Sequence, residues 1–251
     1  MNNNRFSAFY TDVLVQFKNI FVDLITSTFH FKGENFKRAE VSELIYDDLA
    51  DVGLKNAIFG GNQLWFPTKV GRDSGCGVTS ASDITAYLAK YYDGYSSLYT
   101  YDKENMNKDD FLKHMEDMYR YMPPTRIPFR DMPLIGVPFA ETYKRGVTSF
   151  AKSRGVNLKV KIFKKRNNLF NIVQFIKEGL SQDRPVAMIQ WENKKLPHYK
   201  FHWMTIIKYE VDEKDDIYIY CLTWGQVVKL DLNDVLNPKG ILKRFSFLYI
   251  E

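Results

Sequence analysis

Only two cysteines, Cys76 and Cys221, and four histidines occur in the 251 residues. That scarcity excludes a disulfide-rich scaffold and a cysteine-rich zinc site. No window approaches the roughly 20 uncharged apolar residues that a membrane span needs. After Met1-Asn2-Asn3-Asn4-Arg5 the apolar stretch is broken by Asp12, Lys18 and Asp23, without a small-residue cleavage site, so no signal peptide is read there. Internal repeats and low-complexity linkers are missing. A strong charge of one sign is missing too: the net charge is +5, and the densest basic run, Lys164-Lys165-Arg166, reads as a solvated loop. No nucleic-acid partner is expected. These absences predict a cytoplasmic protein with reduced thiols.

Apolar material is plentiful. Hydrophobic residues make up 45% of the chain, with 16 Tyr and 19 Phe, enough for a packed core. Residues 6–30 carry Phe9, Val13, Phe17, Phe21 and Leu24 at helical spacing, and 40–52 read as a second short helix. Gly60-Gly61-Asn62 opens a loop that runs through Pro67 to Gly71. The strongest helix covers 75–92, with Val78, Ala81, Ile84, Leu88 and Tyr91 on one face and Asp73 and Ser74 as N-cap types before it. Further helices are predicted over 105–122, 140–152 and 168–180. Strands are predicted over 156–163, 186–191, 201–209, 217–224, 226–230 and 245–250, with a small helix near Asp234. Helices first and strands later give an α+β class, with helices packed on an antiparallel sheet. The expected organisation is a single domain, with a helical N-terminal extension over 1–60 and a core over 61–251.

Cys76 opens the best helix, where the partial positive charge of the N-terminus favours thiolate over thiol. Gly75 and Gly77 flank it, so that a substrate can approach the backbone closely. Thr79, Ser80, Ala81 and Ser82 give the helix a small face that can lie close to a sheet. Among the histidines, only His202 heads a core-like strand, Trp203-Met204-Thr205-Ile206-Ile207. A nucleophilic thiol needs an imidazole to take its proton and return it to the leaving group. Pairing strands 201–210 and 215–224 around a turn at 211–214 sets Tyr209 against Asp216, Ile206 against Ile219 and Thr223 against His202. Thr223 then holds the second ring nitrogen. His198 and His202 are four apart in a loop and a strand with no accompanying carboxylates, so no metal and no cofactor are expected. A Cys76–Cys221 disulfide is disfavoured in a reducing compartment.

Asp73-Ser74-Gly75-Cys76-Gly77-Val78-Thr79-Ser80-Ala81 resembles the nucleophile segment of papain-like cysteine peptidases, closest to the group that trims double-glycine leader peptides from bacteriocins. Phe201-His202-Trp203-Met204-Thr205-Ile206-Ile207 resembles the histidine strand of the same superfamily, and Pro185-Val186-Ala187-Met188-Ile189 the strand before it. Thr223-Trp224-Gly225 is similar to the Ser-Trp-Gly after papain's third catalytic residue. The resemblance spans roughly residues 70–95 and 168–230. It implies a papain-like fold and a thiol hydrolase acting on a peptide, isopeptide or related amide substrate, with Cys76 as nucleophile, His202 as base and Thr223 as the nearest orienting group. Asp73, Ser74, Gly75, Gly77, Trp203 and Trp224 would line the substrate site. Val70 stands where the family has its oxyanion glutamine and Leu222 where papain has asparagine, so Gln63 is the candidate to replace the first. An acyltransferase using the same pair and a catalytically inactive binding protein on the same fold are the alternatives.

Overall fold

The computed structural model describes residues 60–127, 134–164, 168–236 and 245–251. The helices expected over 6–30 and 40–52 lie outside the described residues. A 3-10 turn, Gln63–Trp65, and a short helix α1, Lys69–Ser74, lead into the central helix α2, Cys76–Tyr91. A second 3-10 segment, Asp93–Leu98, precedes α3, Lys108–Tyr121. The short strands β1, Thr125–Ile127, and β2, Leu134–Gly136, form a separate two-stranded ladder that the sequence reading missed. Then follow α4, Ala140–Ser153; β3, Val160–Ile162; α5, Leu169–Ser181; and β4, Val186–Gln190. A 3-10 turn at Pro197–Tyr199 leads to β5, His202–Val211. The remainder is β6, Ile217–Thr223; β7, Gln226–Asp231; α6, Leu232–Leu236; and β8, Phe245–Ile250.

The architecture is α+β. Six strands pair antiparallel in the order β3-β8-β4-β5-β6-β7. The sheet is covered on both faces, which is why Val186-Ala187-Met188-Ile189 reads as a continuous apolar run rather than an alternation. Along β4 and β5, Ala187, Ile189, Trp203 and Ile207 join one core with α2, α3 and α4. Their alternates, Val186, Met188, Met204 and Ile206, join a second core under α5 and α6.

Helix α2 lies inside the first core, buried from Cys76 through Ala89. Its small residues allow that depth because their hydroxyls are satisfied locally. Ser82 donates to the Val78 carbonyl at 3.0 Å and Thr85 to that of Ala81 at 2.8 Å. Ser80 Oγ meets Thr205 Oγ1 of β5 at 2.8 Å, which fixes the helix against the strand that carries His202. Asp73 and Ser74 do not cap α2. They finish α1, and Gly75 alone joins the two helices, with no side-chain cap on α2. A Cβ on Gly75 would come within 2.4 Å of the Gly71 carbonyl oxygen, so the junction has no room for a side chain.

Candidate active site

Cys76 is the first residue of α2 and is 8% exposed. Without a side-chain cap, the first N–H groups of the helix are left for whatever the site binds. The thiol lies beside the backbone of residues 201–203, with Sγ 4.0 Å from the Phe201 carbonyl oxygen as its hydrogen-bond acceptor. Burial pushes the thiol pKa up from 9.0, while the N–H groups of Trp203, Gly77 and Cys76 pull it down. The result is a protonated thiol at neutral pH, with amides already aimed at the sulfur.

His202 begins β5 immediately after Phe201, whose φ of 52° takes the chain out of extended geometry. The ring is almost fully buried, and desolvation pushes its pKa down to about 4. Its Nε2 is 2.6 Å from Thr223 Oγ1. The contact matches the one expected, but the register does not. Tyr209 pairs with Ile219 rather than Asp216, and Ile206 with Cys221 rather than Ile219. The turn is longer than read, with Asp212 Oδ1 accepting from the N–H groups of Lys214 and Asp216, and β5 carries a bulge between Ile206 and Lys208. On the His202 side of the bulge the shift is two residues, so the side chains there keep the expected face. Thr223 therefore reaches His202 as a diagonal rather than a direct neighbour.

The β6–β7 hairpin turns through Trp224 and Gly225, with φ of 48° and 72°, between the paired residues Thr223 and Gln226. Two positive-φ residues in a two-residue loop define the I′ family, which tolerates glycine well and tryptophan poorly. The indole is held there by stacking on the His202 imidazole, with centroids 4.2 Å apart and planes 24° apart, and on Tyr199 at 5.7 Å. The loop before α1 pins the same turn. Asn62 Nδ2 donates to the Trp224 carbonyl at 3.0 Å, and the Gly225 N–H donates to that of Gly61 at 3.1 Å.

That loop is anchored in turn by Asp83, which the sequence reading did not single out. Its Oδ1 accepts the Gly61 N–H at 2.7 Å, and burial holds the carboxyl pKa well above 3.8. A continuous path thus runs from α2 through Asp83, Gly61 and the Trp224 turn to the imidazole. Asp83→Ala is expected to cost about 1–3 kcal/mol in urea unfolding, because it orphans a buried N–H. Asp83→Asn keeps the acceptor. A raised carboxyl pKa means that the folded state holds a proton the unfolded state releases, so the contribution of Asp83 to stability falls as pH rises above 3.8. The Asn variant is expected to overtake wild type progressively above that pH.

Cys76, His202, Thr223, Gln63, Trp203 and Trp224 line one small pocket with Thr79, Ser80, Asp83 and Leu222. Gln63 is buried and donates from Nε2 to the Arg72 carbonyl at 2.7 Å, leaving the second amide hydrogen for another acceptor. Val70 sits on α1 and is 43% exposed. Asp73 faces solvent in an ion pair with Lys69, and Ser74 is buried at the end of α1; neither lines the pocket. Gly77 makes room for protein rather than substrate, since a Cβ there would lie 2.9 Å from Val137 and 3.1 Å from Trp203. The space beside Gly75 is likewise filled, by Gly71 and the Phe66 ring. Both cysteines are free, and Cys221 belongs to the second core, under α5 and α6.

Among the described residues, no group of three or more His, Cys, Asp or Glu is placed to hold a metal ion, and no helix is long and apolar enough to cross a membrane. No protein-family model matches the chain, and no curated protein matches it.

Proposed function

We propose that this chain is a thiol hydrolase of the papain-like type, cleaving a peptide, isopeptide or related amide bond. The observation that carries the reading is the shared pocket: a thiol at the mouth of a buried helix, and an imidazole whose Nε2 is held by Thr223. With Nε2 so engaged, Nδ1 is the nitrogen left to accept the thiol proton. Because the thiol is protonated and the imidazole neutral near pH 7, proton transfer accompanies attack rather than preceding it. The sulfur leaves the Phe201 carbonyl and bonds to the substrate carbonyl carbon as Nδ1 takes its proton. The oxyanion is met by the Cys76 N–H and the free Gln63 amide hydrogen. Collapse breaks the C–N bond, the imidazolium returns the proton to the leaving amine, and water or a second amine then cleaves the thioester.

A pocket without chemistry is the second reading, favoured by the burial that raises the thiol pKa. Incubation with a panel of activated acyl esters and aminocoumarin amides separates the two. Under the hydrolase reading, intact-mass and peptide analysis finds an acyl group on Cys76, and the leaving group is released in a burst. A binding protein releases no leaving group above the buffer rate and carries no acyl group.

A further inference from the structure

Gln190 closes β4 directly opposite His202. It is completely buried, and among the described residues neither its Oε1 nor its Nε2 has a hydrogen-bond partner. An unpaired carboxamide in such a place is costly, and native interiors rarely keep one without a use. Directly opposed residues of an antiparallel pair project from the same face, with Cβ atoms about 5 Å apart. The imidazole is therefore flanked by a hydroxyl from β6, which it bonds, and by a carboxamide from β4, which is unused.

The two differ as partners. A hydroxyl can donate or accept, so Thr223 by itself permits either imidazole tautomer. A carboxamide oxygen only accepts, so a ring N–H held by it leaves the other nitrogen as the base. Resting on the hydrolase reading above, we infer that Gln190 is a positioning residue for His202. Its Oε1 takes over the ring N–H from Thr223 when the site engages substrate, which fixes the reactive tautomer and frees the ring to turn toward the thiol.

Replacing an unpaired buried amide by an apolar isostere is neutral or stabilising, so stability and reactivity separate in Gln190→Met. The expected result is a thermal midpoint equal to or above wild type, alkylation of Cys76 by iodoacetamide at pH 7 slowed about 10-fold, and an altered His202 tautomer ratio in 15N spectra. Gln190→Asn, which keeps the carboxamide on a shorter stem, is expected to give an intermediate rate and a shifted ratio. Wild-type rate and tautomer ratio in either variant overturn the role given to Gln190. His202→Ala distinguishes the two levels. If it alkylates as fast as wild type, the hydrolase reading fails; if it is slow while Gln190→Met is unchanged, only the Gln190 inference fails.

Discussion

His202→Ala is expected to slow acylation of Cys76 by about 100- to 10,000-fold, the usual worth of a positioned general base, while the variant stays folded. The effect is large because no other group in the pocket can take the proton. The Asp83 carboxyl is committed to the Gly61 N–H, with its pKa raised by burial, and Thr223 is a hydroxyl. The pH profile carries the same physics. Burial pushes the His202 pKa down to about 4, so the imidazole is already neutral throughout the range in which an ordinary histidine titrates. The acid limb of the acylation rate should therefore fall near pH 4 instead of near 6.5. A stopped-flow series from pH 3 to 8 reads both. A limb near 6.5 would mean that the imidazole is hydrated in the reacting state, and an unchanged rate in His202→Ala would remove it from the chemistry.

Acid should also destabilise the fold well before carboxylates alone would do so. His202 and His114 are both buried, and desolvation depresses both, His114 to about 3. His114 bonds Thr85 Oγ1 of α2 at 3.0 Å and is packed among the rings of Tyr99, Phe111 and Phe150. As pH falls below 6.5 the unfolded chain binds protons that the folded chain refuses. The stability these histidines contribute is therefore full above 6.5 and lost progressively down to about pH 4 for His202 and about pH 3 for His114. These shifts correspond to about 3 kcal/mol for His202 and about 5 kcal/mol for His114. Asp83 acts in the opposite sense, so the clean comparison is between variants. In urea titrations from pH 4 to 7, His114→Leu should lose about 1.4 kcal/mol per pH unit of the wild-type slope below 6. An identical slope would mean that His114 is solvated in the native state.

Much of the candidate site's geometry is legible in the sequence, for reasons particular to each residue. Cys76 is legible because a cysteine flanked by glycines opens the strongest apolar-periodic helix. His202 was found because it is the one histidine that heads a buried strand. The Thr223 contact survived a mistaken register because the residual shift was even; a shift of one would have replaced Thr223 with Leu222 or Trp224. The bulge after Ile206 and the Asp212-centred turn have no signature strong enough to count residues by. Asp83 was invisible because a single carboxylate among serines and threonines looks like a solvated helix face, and only tertiary packing buries all of α2. Gln190 was hidden in the same way, as a polar residue at the end of an apolar run. Trp224-Gly225 was legible as a motif but not as an I′ turn, since tryptophan is a poor positive-φ residue and its cause lies in the ring stacked upon it. The two flanking glycines are legible but their neighbours are not: Phe66, Val137 and Trp203 take up the space a Cβ on Gly75 or Gly77 would enter.

Competition between the two thiols gives the most direct test of the central claim. Cys221 is fully buried, and desolvation raises its pKa far beyond that of an ordinary thiol, which makes it an internal control in every molecule. Treatment of the native protein with a peptidyl chloromethyl ketone, followed by peptide mapping, should place the adduct on Cys76 alone, with labelling lost in His202→Ala. Equal labelling of Cys76 and Cys221, or adduct formation on Cys76 that ignores His202, would contradict a thiol activated by that imidazole.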